Sequence, residues 1–165
     1  MALDNITILK VEYAISYDFK DKSYIELLLE DNGKAREFAW IGDSLIEYFY
    51  RRWLVDRNGY HKSKTRNGVY LTNNKELKGL AIHTGLASIL GTMNAKKLGT
   101  FVEGLIYVVA LDSGDVEVAE EVFKLCYLDN HRAIESAERI RKGENVVQRK
   151  DLAYKLAAKR YRPYK

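Results

Sequence analysis

The segment 96–112 is apolar on almost every side, and this feature constrains the fold more than any other. The hydrophobic residues of a surface helix keep to one face, whereas these surround the helix axis. A helix of this kind is usually buried, so the rest of the chain is expected to pack around it. Its longest apolar run, Leu105 to Leu111, has seven residues and is too short to cross a bilayer. The segment therefore predicts the central helix of a globular domain.

Helical periodicity recurs along the whole chain, whereas strand-like alternation is scarce. One proline and 11 glycines leave little to interrupt helices, so the predicted fold class is all-α. The single cysteine, Cys126, excludes an internal disulfide and a cysteine-based zinc cluster, and its apolar surroundings predict a core position. The predicted helices span 5–14, 21–30, 34–55, 73–90, 96–112, 115–128, 130–142 and 146–160.

Charge is distributed unevenly along the 165 residues. The net charge is +4, but residues 139–165 carry +8 and residues 1–138 carry −4. A second basic patch lies in the segment 51–66, most of which is predicted to be irregular. Clusters of this kind suit a phosphate backbone, although a solvated face or a solubility tail would have the same composition. The basic residues of the second patch are Arg51, Arg52, Arg57, Lys62, Lys64 and Arg66.

Two carboxylates stand out on the predicted helices. On the 34–55 helix, Phe38, Ile41, Leu45 and Phe49 are expected on one face and Asp43 on the other. Glu103 lies within the apolar 96–112 helix, where a carboxylate is costly unless it is paired, bound to a metal or open to a cleft. The alternative to a functional role is, for Asp43, a carboxylate on the helix surface and, for Glu103, a buried structural ion pair.

Three stretches, in order, resemble the ribonuclease III domain. Tyr17-Asp-Phe-Lys-Asp-Lys-Ser-Tyr-Ile-Glu-Leu-Leu-Leu29 is similar to the family's opening "Y-x-F-x-(D/N)-x-S-L-L-x-x-A-L". Arg36-Glu-Phe-Ala-Trp-Ile-Gly-Asp-Ser-Leu-Ile-Glu47 resembles "E-R-L-E-F-L-G-D-S-V-L". Val102-Glu-Gly-Leu-Ile-Tyr-Val-Val-Ala-Leu-Asp-Ser-Gly114 resembles "V-E-A-L-I-G-A-I-Y-L-D-S-G". The resemblance covers about residues 5–130, so the predicted organisation is a ribonuclease III-like domain, 1–130, followed by a basic helical extension, 131–165.

The resemblance implies a helical domain that forms a symmetric homodimer and cuts double-stranded RNA with Mg²⁺, for which Mn²⁺ substitutes. Asp43 and Glu103 match two of the four carboxylates of the family site. The other two are replaced by Ala39 and Thr100, as in the compact branch called Mini-ribonuclease III, which resembles the chain at both places. The resemblance therefore implies a reduced site with Asp43 and Glu103 as catalytic and metal-binding residues.

Further residues near the motifs have two interpretations each. Glu47 is a candidate outer carboxylate for the metal, but an ion pair with Arg51 one turn later is favoured. Lys96 matches a family lysine and is predicted to contact phosphate, unless it is simply an exposed residue at a helix start. The candidates for the dimer contact are Phe38 with Trp40, or Tyr48 with Trp53. The predicted RNA-binding residues are Arg51, Arg52, Lys62, Lys64, Arg66 and Lys96.

The sequence thus predicts a homodimeric, magnesium-dependent endoribonuclease for double-stranded or structured RNA. The alternative is a catalytically inactive module that binds RNA or assembles into a ribonucleoprotein. The residues Met1 to Asn5 lack the basic and apolar blocks of a secretory signal, so a cytoplasmic protein with no membrane partner is expected.

Overall fold

The computed structural model describes residues 5–60 and 74–128, and these residues form helices without any strand. The all-α fold class predicted from the sequence is therefore confirmed for this part of the chain. A short π-helical turn, Lys124–Leu128, follows the last helix. The helices are α1 (Asn5–Ile15), α2 (Ser23–Leu29), α3 (Gly33–Asn58), α4 (Asn74–Thr84), α5 (Leu86–Leu90), α6 (Ala95–Ser113) and α7 (Val116–Phe123).

Short polar side chains begin three of these helices. The side chain of Asn32 accepts hydrogen bonds from the backbone N–H groups of Lys34 and Ala35 at the start of α3. Asn94 caps α6 and Asp115 caps α7 in the same way. Each cap satisfies backbone donors that have no partner within the helix, which is why these helices begin where they do.

Helix α6 is the centre of the fold, as its apolar sequence predicts. Ten of its residues are buried, and α2, α3, α4 and α7 all pack against it. The most extensive packing of α6 is against α3, which is the longest helix of the described chain. The buried residues of α6 are Leu98, Gly99, Phe101, Val102, Gly104, Leu105, Ile106, Val108, Val109 and Ala110.

One of the four residues predicted to lie on the buried face of α3 is exposed. Phe38 and Phe49 are buried and Leu45 is half-buried, but Ile41 is exposed. The reason is that Gly42, rather than Ile41, lies against α6, which rotates Ile41 toward solvent.

The predicted helix 73–90 is two helices. Gly85 has a φ of 87° and separates α4 from α5. The hydroxyl of Thr84, the last residue of α4, donates to the carbonyl of Leu80 at 2.9 Å. A left-handed conformation favours glycine, so the chain turns at this residue.

Two carboxylates hold the connection between α1 and α2. The buried Glu12 of α1 accepts the Phe19 N–H at 2.8 Å. Asp112 of α6 accepts the Tyr17 hydroxyl at 2.6 Å and also the backbone N–H groups of Lys20 and Asp21. Although burial opposes ionisation, these hydrogen bonds lower the pKa of Asp112. They anchor the start of α2 to α6.

None of the helices within 5–60 and 74–128 is long and apolar enough to cross a membrane. The predicted helices 130–142 and 146–160, and with them the basic extension, lie outside the described residues.

Candidate active site

The backbones of α3 and α6 touch where the two sequence-predicted carboxylates lie. A Cβ atom added to Gly42 would overlap the carbonyl oxygen of Glu103 and lie 2.5 Å from its carbonyl carbon. On the other helix, a Cβ at Gly104 would lie 2.5 Å from Leu28 Cδ1 and 3.5 Å from the Ala39 nitrogen. Each glycine is next to one carboxylate, so the close crossing brings Asp43 and Glu103 together from different helices.

Electrostatics show that the two carboxylates are neighbours. Burial, and after it the charge of Asp43, together raise the pKa of Glu103 from its ordinary value of 4.5 to about 7. The pKa of Asp43 is also raised, by partial burial and then by the charge of Glu47. Glu103 is half-buried and Asp43 is exposed, so the pair opens to the surface. Two carboxylates in this arrangement repel each other and favour a proton or a cation between them.

Ala39 and Thr100 lie about one helical turn before Asp43 and Glu103, respectively. Ala39 is buried with its backbone nitrogen against Gly104, so this position is part of the helix contact. Thr100 is half-buried on α6. Glu47 forms the ion pair with Arg51 that the sequence favours, while its charge still acts on Asp43.

A divalent cation would fit this site through few protein ligands. The donors are carboxylate oxygens, which suit Mg²⁺, and a cation would stabilise the ionised forms of two carboxyl groups whose pKa values are raised mainly by burial. Among the described residues, no group of three or more His, Cys, Asp or Glu side chains surrounds one position. A pair of carboxylates is compatible with Mg²⁺, which commonly uses one or two carboxylates and completes its shell with water and substrate phosphate.

Three of the six predicted RNA-binding residues are described. Arg51 pairs with Glu47, and Arg52 donates to the buried Glu120 at 3.2 Å. These pairs reduce the charge that the two arginines offer to a phosphate. Lys96 is exposed in the first turn of α6. Lys62, Lys64 and Arg66 lie outside the described residues.

The sequence argument missed the residues that position the carboxylates. Gly42 and Gly104 permit the contact between α3 and α6, and Asn74 at the start of α4 lies directly over Gly99, one turn before Glu103. A signal was present, because a glycine inside a helical pattern often marks a close backbone approach. The partner of each glycine could not be inferred from periodicity.

Comparison with known proteins gives no match, neither to a family model nor to a curated protein.

Glu103→Gln is expected to stabilise the protein at neutral and alkaline pH in the absence of divalent cations. The folded-state pKa of Glu103 is above its ordinary value, so the unfolded chain ionises first and wild-type stability falls between about pH 4.5 and 7. Glutamine does not ionise. Each pKa unit corresponds to ~1.4 kcal/mol, and because solvent screens a half-buried group we expect a gain of ~1–2 kcal/mol at pH 8.

Urea unfolding in EDTA at pH 4 and pH 8 measures this gain. The two proteins should have similar stability at pH 4 and differ at pH 8. The control is Glu121→Gln, an exposed carboxylate on α7, which should not produce a gain at pH 8. An equal gain at both pH values would show that packing, not charge, is responsible.

Proposed function

We propose that the protein is a magnesium-dependent endoribonuclease that cuts double-stranded or structured RNA as a homodimer. The observation that carries the proposal is the contact of Gly42 with the Glu103 backbone, which pairs Asp43 with Glu103 across two helices. The ordered resemblance to ribonuclease III supports the same pair. The proposal places this activity in the cytoplasm.

The chain's own residues would bind the cation and respond to pH. Asp43 and Glu103 are the proposed ligands. Glu47 is a proposed outer carboxylate, and it also forms an ion pair with Arg51. When bound, Mg²⁺ would supply positive charge to the phosphoryl oxygens and promote ionisation of water. Glu103 holds a proton below about pH 7, so binding of the cation must displace it.

The Mg²⁺ concentration needed for half-maximal cleavage should therefore fall as the pH rises through 7.

The exposed face of α3 supports the homodimer. Trp40 is 81% exposed and Tyr48 is 54% exposed, and Trp40 precedes Asp43 by three residues on the helix. Of the other two candidates for the contact, Phe38 is buried in the core and Trp53 packs partly against it. Tryptophan is enriched among the residues that dominate interface energies, and Trp40 lies on the helix that carries Asp43.

Trp40→Ala is expected to weaken self-association at least ~30-fold, the effect of losing a ~2 kcal/mol anchor. Sedimentation velocity over a concentration series measures the dimer dissociation constant. The control is Tyr13→Ala, which removes a similarly exposed aromatic side chain from α1 and should leave association unchanged. A wild-type protein that is monomeric at all concentrations would contradict the dimer.

A second candidate function is a catalytically inactive module that binds structured RNA or assembles into a ribonucleoprotein. In this module Asp43 and Glu103 would have no catalytic role. It is favoured by one observation, that no third carboxylate joins Asp43 and Glu103 around a common position within the described ranges. Both functions predict salt-sensitive RNA binding with little sequence preference, because phosphate contacts by lysine and arginine dominate it. Only cleavage distinguishes them.

The test is cleavage of a labelled RNA duplex by the wild-type protein with Mg²⁺, with Mn²⁺ and with EDTA. We expect products with either cation, none in EDTA, and recovery when Mg²⁺ is restored. RNA binding is measured on the same duplex in EDTA. RNA binding without cleavage under every condition would favour the inactive module. A protein that neither binds nor cleaves the duplex would contradict both candidate functions.

A further inference from the structure

Four lysines lie near the starts of helices α4 and α6, and we name this group the lysine patch. Lys75 and Lys78 are in the first two turns of α4, and Lys96 and Lys97 are in the first turn of α6. Three of them are exposed and Lys78 is half-buried. The two pairs are far apart in the sequence, so hydrophobic pattern and motif spacing do not indicate that they belong together.

The contact between Asn74 and Gly99 brings the two helix starts together. A Cβ atom added to Gly99 would lie 3.3 Å from the Asn74 Cα and would overlap its side-chain oxygen, so the backbone of α4 begins directly against α6. Lys75 follows Asn74 in the chain, and Lys96 lies one turn before Gly99. Because a lysine ammonium group is carried on a flexible four-carbon stem, lysines of both helices can reach the same phosphate strand.

The lysine patch is next to the carboxylate pair, Asp43 and Glu103, on the exposed side of α6. After its first turn, α6 is buried except for Thr100, Glu103, Tyr107 and its last three residues. Lys96, Thr100 and Glu103 are three or four residues apart and therefore lie along one face of the helix. The rise from Lys96 to Glu103 is ~10 Å, which corresponds to a few phosphates along one strand of a duplex. A strand that runs along this face would contact both the patch and the carboxylate pair.

The lysine patch keeps its positive charge, whereas several other basic side chains are neutralised. Within 5–60 and 74–128, none of the four lysines forms an ion pair. Arg51 and Arg52, which the sequence predicts to bind RNA, both pair with glutamates. The segments 74–78 and 94–98 contain one carboxylate, Glu76, against the four lysines. An excess of positive charge of this kind attracts a phosphate backbone.

We propose that the lysine patch binds phosphates of the RNA strand that reaches the carboxylate pair. Lys75, Lys78 and Lys97 thereby join Lys96, the one member that the sequence predicts to contact phosphate. The patch, rather than the paired arginines of α3, is the main RNA contact of the described residues. The inference takes its ligand from the proposed function, and it applies equally to the enzyme and to the inactive module.

Binding of a fluorescently labelled RNA duplex in EDTA, measured by anisotropy over a series of salt concentrations, tests the patch in the full-length protein. Lys75→Gln combined with Lys78→Gln should weaken binding about tenfold and lower the slope of log Kd against log salt by about 1–2, because each lost phosphate contact removes about one released counterion. The matched control is Lys10→Gln combined with Lys20→Gln, which removes the same charge from exposed lysines outside α4 and α6. It should bind almost as tightly as the wild-type protein.

Lys75→Arg combined with Lys78→Arg separates the effect of charge from that of structure. Arginine retains the positive charge, so this variant should bind with the affinity and salt slope of the wild type. Urea unfolding should show wild-type stability for all three double variants. If the wild type binds RNA and the glutamine substitutions change nothing, or weaken binding no more than the control does, the patch is overturned and the proposed function is not. A wild-type protein that does not bind the duplex would contradict the proposed function, and the patch with it.

Discussion

Asp43→Asn is expected to lower RNA cleavage at least ~1000-fold, because it removes one of the two carboxylates on which the proposed reaction depends. Asp43 is exposed and asparagine has nearly the same shape, so the fold should be retained. RNA binding should be close to wild type, because it depends on phosphate contacts made elsewhere on the surface. Initial rates on a labelled duplex across a Mg²⁺ titration measure the effect.

The matched control is Asp56→Asn, which removes another exposed aspartate from the same helix. It should cleave at the wild-type rate. The charge of Asp43 helps to raise the pKa of Glu103, so Asp43→Asn should also shift the ionisation of Glu103 to lower pH. Repeating the unfolding measurements of stability against pH in EDTA detects that shift. Wild-type cleavage by Asp43→Asn, or an equal loss in Asp56→Asn, would contradict the proposed role.

Gly42→Ala is expected to destabilise the protein by about 3 kcal/mol and to eliminate cleavage. The added Cβ would overlap the carbonyl group of Glu103, and backbone on two packed helices cannot move aside as a side chain can. The helices must separate, which opens the core contact between α3 and α6 and moves Asp43 away from Glu103. The gain in helix propensity from alanine, about 1 kcal/mol, offsets only part of this cost.

Two other glycines provide a graded control for this prediction. A Cβ at Gly104 meets mainly the end of the Leu28 side chain, which can rotate, so Gly104→Ala should cost only about 1 kcal/mol. A Cβ at Gly33 meets nothing within 4 Å, so Gly33→Ala should change stability by less than about 0.5 kcal/mol. Urea unfolding of the three variants should give this order. A Gly42→Ala protein as stable as Gly33→Ala would contradict the close crossing of α3 and α6.

Parts of the candidate site could be predicted from the sequence and parts could not. The unusual position of Glu103 follows from one carboxylate in an otherwise apolar helix, and the structure places it beside Asp43. The pairing of Arg52 with the buried Glu120 could not be predicted, because the two residues are 68 positions apart and belong to different helices. Periodicity reports the environment of a residue but does not identify its distant partner.

The assignment of the α3 faces shows the same limit. The pattern of apolar residues predicts a helix with one buried side, but Ile41 and Gly42 are adjacent, and either could face the core on pattern alone. The glycine lies against α6 because its missing side chain allows the backbones to touch. A residue without a side chain contributes nothing to a hydrophobic pattern, so its importance appears only when the neighbouring helix is present.

By itself, the sequence determined the all-α class and the central position of α6, because hydrophobic patterning acts over the residues of one helix. Only the tertiary structure decided the rotation of α3 and the meeting of Asp43 with Glu103. These features depend on how closely two helices can approach, which is determined by side-chain volumes on both helices at once.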